Sequence, residues 1–78
     1  MVLSTIGVNA GYQEETIPEL RSVLDGVEPI DRTAVNAWEQ PEFRLAIEAT
    51  GRRKLIMAGL WTEVCLVFPA LDLVREGY

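Results

Sequence analysis

The stretch Lys54-Leu55-Ile56-Met57-Ala58-Gly59-Leu60-Trp61-Thr62-Glu63-Val64-Cys65 decides how this chain is read. Residues 55–60 form a continuous apolar run, the pattern of a strand covered on both faces in a parallel sheet. A tight turn at Gly59 follows. Thr62 is placed to cap the next helix, with Glu63 in its first turn, where negative charge is favourable. That helix carries Cys65, the single cysteine, at its third position, among the free N–H groups of a helix start and at the positive end of the helix dipole. Such a setting favours thiolate. On spacing alone, a small apolar core residue is the competing reading for this cysteine.

Pro69 lacks the N–H that would bond the Cys65 carbonyl, so the helix is expected to bend or loosen there. The helix runs through Cys65, Phe68, Leu71 and Val74 towards Gly77, and Val64, Leu66, Val67, Ala70 and Leu73 make it apolar nearly all round until its last turns. That pattern predicts burial between layers or in an oligomer interface.

Upstream, residues 1–6 read as a strand and residues 7–15 as a loop. Thr16, Pro18 and Glu19 have the spacing of a helix cap, a first-turn proline and a capping box. Leu20, Val23 and Leu24 give the helix one apolar face, and Gly26 is a natural stop. Residues 27–31 are a weak strand, with Pro29 confining it to an edge. A loop holding Asn36 and Trp38 leads to a helix that starts at Pro41 and ends at Gly51, its inner face formed by Phe43, Ala46, Ile47 and Thr50. The order strand, helix, strand, helix, strand, helix belongs to the α/β class, with parallel strands and right-handed crossovers.

In a parallel sheet, ligands bind outside the carboxyl ends of the strands. This places Arg32 and Cys65 on one rim. Asn36 and Trp38 either line a pocket there or stabilise the loop into the second long helix. Gly59 is expected to permit close packing at the strand end. The chain has no histidine, so a base for the thiol must be a carboxylate. Asp31, Glu39 and Glu63 lie near the rim without a specific signature. No phosphate loop, dinucleotide fingerprint or metal-spaced cluster is present, and no metal or cofactor is expected.

Bulk properties narrow the partners. The chain has 78 residues, 49% of them apolar, with a formal net charge of −5 from seven basic and twelve acidic residues. Nucleic acid is an unsuitable partner for that balance; Arg52-Arg53-Lys54 is better explained as positive charge at a helix C-terminus. No apolar run approaches the roughly 20 residues that cross a bilayer, and no basic-then-apolar leader precedes the first strand. A lone cysteine favours a reducing, cytoplasmic setting. A chain of this length buries only about 60–65% of its unfolded surface, and three parallel strands with two open edges make a poor free-standing sheet. Part of a larger domain is the simplest expectation.

The segments Asn36-Ala37-Trp38, Ala49-Thr50-Gly51-Arg52-Arg53-Lys54-Leu55-Ile56, Ala58-Gly59-Leu60-Trp61-Thr62-Glu63-Val64-Cys65 and Phe68-Pro69-Ala70-Leu71 resemble the isochorismatase-like cysteine hydrolases, in particular small bacterial members of uncertain substrate. The similarity keeps its order along essentially the whole chain. It implies a Rossmann-like three-layer α/β sandwich, here a partial β-α-β-α-β-α unit over residues 1–78 without the domain's first strand and its C-terminal strands. It implies Cys65 as nucleophile, Arg32 at the family's basic position, a cis peptide between Trp61 and Thr62, and an oxyanion hole from the N–H groups of Thr62 and Cys65. The family's acidic base lies on the first strand of the domain, ahead of Met1. The implied reaction is amidohydrolase-type cleavage of a carbon–nitrogen bond in a small-molecule substrate by a homo-oligomeric full-length protein, inactive as this chain alone. An assembly module with a structural cysteine is the alternative.

Overall fold

A computed structural model describes residues 1–78. Its sheet has two parallel strands, β1 (Ser4–Ile6) and β2 (Ile30–Arg32), in the register Ser4–Ile30, Thr5–Asp31, Ile6–Arg32. Two bonds extend the ladder: Ile30 N–H to the Leu3 carbonyl at 2.9 Å and Gly7 N–H to the Arg32 carbonyl at 3.0 Å. Pro29 has no N–H to donate, and β2 begins immediately after it, three residues later than the apolar run suggests.

Between the strands lies α1 (Pro18–Val23). Its cap is Ile17, with no side-chain cap bond, so the expected Thr16 capping box is not formed. Pro18 occupies the first turn with a preset φ, and this fixes the start of the helix at the proline itself. None of its residues is buried. A 3₁₀ turn (Ala37–Glu39) and α2 (Pro41–Ala49) follow. Phe43 and Ile47 are buried as their spacing predicts, whereas Thr50 is exposed and turns its hydroxyl back to the Ile47 carbonyl at 2.7 Å.

Residues 55–60 depart from expectation. They are extended but belong to no ladder, and residues 54–60 make no backbone–backbone hydrogen bond. Side chains alternate: Leu55 and Met57 pack on the core, while Ile56 and Leu60 are almost fully exposed. A strand exists only through a neighbour; with none alongside, one face is covered and the other is open.

The last helical segment is a π-helical turn (Thr62–Leu66) continuing into α3 (Val67–Arg75). The Val67 N–H bonds the Thr62 carbonyl, five residues back. This wide winding just ahead of Pro69 is the loosening that the missing N–H predicts. The expected all-round burial of α3 is not found: Pro69 and Leu73 are buried, but Phe68, Leu71 and Val74 are 46%, 58% and 69% exposed. Only one stripe of α3 meets the core, because α2 and the 3₁₀ turn lie on one side of it alone.

That core joins Ala37, Trp38, Phe43, Ile47 and Leu73, edged by Val2, Leu55, Met57 and Tyr78. The Trp38 ring meets Tyr78 edge-on at 5.8 Å, Arg44 lies 4.8 Å over Trp38, and Arg53 lies 4.3 Å over Tyr78. Arg53 also donates to the Glu76 carbonyl at 2.9 Å. Its charge thus serves the C-terminus of α3, not that of the helix it follows in sequence.

Candidate active site at the carboxyl edge of the strands

Arg32 ends β2, and the register puts its side chain on the same sheet face as Ser4. It is 5% exposed. Nη1 donates to Ser4 Oγ at 2.9 Å and to the Thr5 carbonyl at 3.0 Å; Nη2 donates to the Val35 carbonyl at 3.4 Å and to Cys65 Sγ at 3.7 Å. Nε is buried without a partner. No carboxylate pairs with this guanidinium; the chain's ion pairs are Arg44–Glu76 and Arg75–Asp72. The two rim residues picked out in the sequence are therefore in contact, although they lie 33 positions apart in the chain.

Cys65 is a free, half-buried thiol on the π-helical turn. Gly59 is the reason it can sit there. A Cβ on Gly59 would lie 3.3 Å from the Leu66 N and Cβ and 3.4 Å from the Cys65 carbonyl carbon, tighter than ordinary packing allows.

Three expectations for this turn are corrected. The Trp61–Thr62 peptide is trans, as is every peptide of the chain; trans is the lower-energy form for a non-proline bond, and Trp61 turns the chain into the helix with φ −102° and ψ 85°. Thr62 is not the cap but the first helical residue, since the cap lies one residue earlier, at Trp61. The Trp61 carbonyl accepts from Val64 N–H at 3.1 Å and from Cys65 N–H at 2.7 Å. Cys65 thus occupies the fourth helical position, its N–H is already committed, and it cannot also serve an oxyanion. The Thr62 N–H has no acceptor within the chain.

Asn36 and Trp38 prove to be scaffold. Asn36 Oδ1 accepts from Trp38 N–H at 3.0 Å, capping the 3₁₀ turn, and its amide donates to Asp72 at 2.8 Å. Trp38 is 4% exposed within the core, which leaves no ring face to line a pocket.

Asp31 follows the alternation of the strand onto the opposite sheet face from Arg32. Its carboxylate accepts from Thr5 Oγ1 at 2.8 Å, Val8 N–H at 3.1 Å and Asn9 N–H at 2.9 Å. These bonds, that of Asn9 foremost, hold its carboxyl below the usual range despite some desolvation. Asp31 fastens the loop after β1. Glu39 and Glu63 are exposed and bond to neither Arg32 nor Cys65. A surface concavity lined by Met1, Val27, Ile30, Ala46 and Ala49 among others opens at the amino ends of the strands, away from this chemistry.

Ser4, Thr5 and Val35 are the site residues that sequence reading missed. None has a motif; strand register and the fold of the loop bring them to Arg32.

Comparison with known proteins finds relatives along almost the whole chain. The isochorismatase domain family model matches residues 7–78. The probable hydrolase YcaC of Escherichia coli K12 is 39% identical over 75 residues, 95% of this chain and 36% of that protein. The crystal structure of the Escherichia coli YcaC gene product, described as an octameric hydrolase of unknown specificity, superposes with a TM-score of 0.86 at 38% identity, over 99% of this chain and 38% of that one. YcaC from Pseudomonas aeruginosa, solved with hexane-2,5-diol and covalent acrylamide, gives 0.88 at 36% identity, with the same coverage. The chain spans a little over a third of the length of these relatives.

Proposed function

The chain belongs to the isochorismatase family, and from that premise we propose that it supplies the nucleophilic half of a cysteine hydrolase site acting on a carbon–nitrogen bond of a small molecule. The observation that carries this reading is the 3.7 Å contact between the Cys65 thiol and the buried guanidinium of Arg32. The guanidinium sets a positive charge beside the sulfur that would attack the substrate.

In the proposed reaction the Cys65 thiolate adds to the substrate carbonyl carbon, forming a carbon–sulfur bond and pushing the carbonyl electron pair onto oxygen. The Thr62 N–H, which has no acceptor within the chain, is the proposed donor to that oxyanion. Collapse expels the nitrogen leaving group, which takes a proton from a general acid, and leaves a thioester. Water then adds to the thioester, giving its proton to the same group acting as base and releasing the carboxylic acid and the thiolate. That acid–base group is a carboxylate outside this chain, by the family resemblance, and the unpartnered Arg32 Nε is suited to orient it. The chain alone is accordingly inactive in turnover.

The covalent acrylamide on the Pseudomonas aeruginosa relative supports the reading, since acrylamide is an electrophile that adds to thiolates. The octameric Escherichia coli relative supports a homo-oligomer for the full-length protein. The alternative, an assembly module with a structural thiol, draws on the exposed apolar side of α3.

Trapping distinguishes the two. Incubated with an activated acyl ester, the chain is expected to acquire one acyl group on Cys65, removable by hydroxylamine as a thioester is, with no acylation of Cys65→Ser at that position. Acylation confined to lysines and the N-terminus would sink the nucleophile and leave the structural role.

A further inference from the structure

We propose that Ser4 is a positioning residue for the site: its hydroxyl fixes where the Arg32 guanidinium points and thereby sets the reactivity of Cys65. The inference deepens the reading of Cys65 as nucleophile and rests on it.

Ser4 lies opposite Ile30 in the ladder. Its Oγ is 3.0 Å from the Ile30 carbonyl and 2.9 Å from Arg32 Nη1. A hydroxyl has one proton, and a guanidinium can only donate. Ser4 therefore accepts from Arg32, and its one proton goes across the ladder to the Ile30 carbonyl at 3.0 Å, the shorter contact, ahead of the Thr5 carbonyl at 3.4 Å. One side chain on β1 thus grips β2 both at its first backbone carbonyl and at its last side chain.

The guanidinium is a planar, rigid fork. Holding Nη1 between Ser4 Oγ and the Thr5 carbonyl orients Nη2, whose contacts to the Val35 carbonyl and Cys65 Sγ are the longer ones, at 3.4 and 3.7 Å. The short bonds on Nη1 steer the long ones on Nη2. With Nε unpartnered, nothing else along the side chain sets the rotation of the head group. Removing the Ser4 hydroxyl leaves Nη1 a single acceptor and frees the plane to turn away from the thiol.

The test is the pH profile of Cys65 alkylation by iodoacetamide in the 78-residue chain, compared with Ser4→Ala, Ser4→Thr, Ser4→Val and Arg32→Leu, each checked for fold by circular dichroism. Ser4→Ala and Ser4→Val are expected to react about three- to tenfold more slowly at pH 7; Ser4→Thr, which keeps the hydroxyl in a strand-favouring residue, is expected to hold the wild-type profile. The Thr and Val variants match in shape, so their difference isolates the hydroxyl should Ser4→Ala fold poorly. Unchanged profiles in Ser4→Ala and Ser4→Val overturn the positioning role, as does an equal loss in Ser4→Thr. Unfolding of both hydroxyl-free variants also overturns it, making Ser4 a fold-holding group. A profile unmoved by Arg32→Leu is a different failure, that of the arginine–thiol reading itself.

Discussion

Arg32 and Ile56 invert what their chemistry favours. The charged guanidinium is 5% exposed, while the isoleucine in the middle of the chain's most apolar run is fully exposed. Both lie in extended backbone, so secondary preference does not separate them. The difference is partners. Arg32 reaches a hydroxyl, two carbonyls and a thiol, enough to offset much of the cost of desolvating a cation. Residues 54–60 have no backbone partner, and only alternate side chains of that run find the core. Hydrophobicity states what a residue favours; burial is granted by neighbours. The exposed apolar side chains of residues 55–60 and α3 form the kind of surface that marks an interaction face.

Trp38 stands behind the buried region, and its loss is the largest expected perturbation. Trp38→Ala removes the ring that Tyr78 and Arg44 pack against and is predicted to cost about 3–5 kcal/mol, read as loss of a cooperative urea transition. A variant that unfolds like the wild type would show that the core does not hold the site.

Gly59→Ala sharpens the contrast, because Gly59 is where the exposed run touches the turn that carries Cys65. The added methyl must push back the Cys65–Leu66 backbone. A destabilisation of about 1–3 kcal/mol and slower Cys65 alkylation are expected together; full stability with unchanged alkylation would detach the turn from the run.

Acid is expected to act through Asp31, on the face turned away from the thiol. Its folded carboxyl titrates below the ordinary value of 3.8, so its contribution is complete above about pH 4 and is lost as pH falls through the depressed value. Urea midpoints measured between pH 6 and pH 3 should fall for the wild type and fall less for Asp31→Asn. Identical slopes would show that the loop bonds of Asp31 carry no stability.

The smallest effect belongs to the exposed run. Ile56→Lys should change stability by no more than about 0.5 kcal/mol while reducing self-association in sedimentation. A large loss of stability would mean that Ile56 is buried in solution.

Much of this was legible in the residues. The α/β order, Pro41 and Gly51 bounding α2, the buried pair Phe43 and Ile47, and the loosened helix before Pro69 all follow from local chemistry acting within one turn. Rim logic brought Arg32 and Cys65 to the same edge. Features that depend on distant pairing were not legible. Ser4 is a site residue only because strand register sets it beside Arg32. The Cys65 N–H is consumed only because the helix cap is Trp61 and not Thr62. Trp38 is core because α3 returns Leu73 and Tyr78 to it. Residues 55–60 read as a covered strand because an apolar run carries no record of which neighbour covers it.

The central claim is that the guanidinium of Arg32 activates Cys65, and the most direct measurement is the alkylation of Cys65 by iodoacetamide from pH 5 to 10 in the wild type and in Arg32→Gln. Alkylation is expected to be severalfold slower in Arg32→Gln than in the wild type across that range, because the positive charge beside the attacking sulfur is gone. Coincident profiles for the two proteins would contradict it.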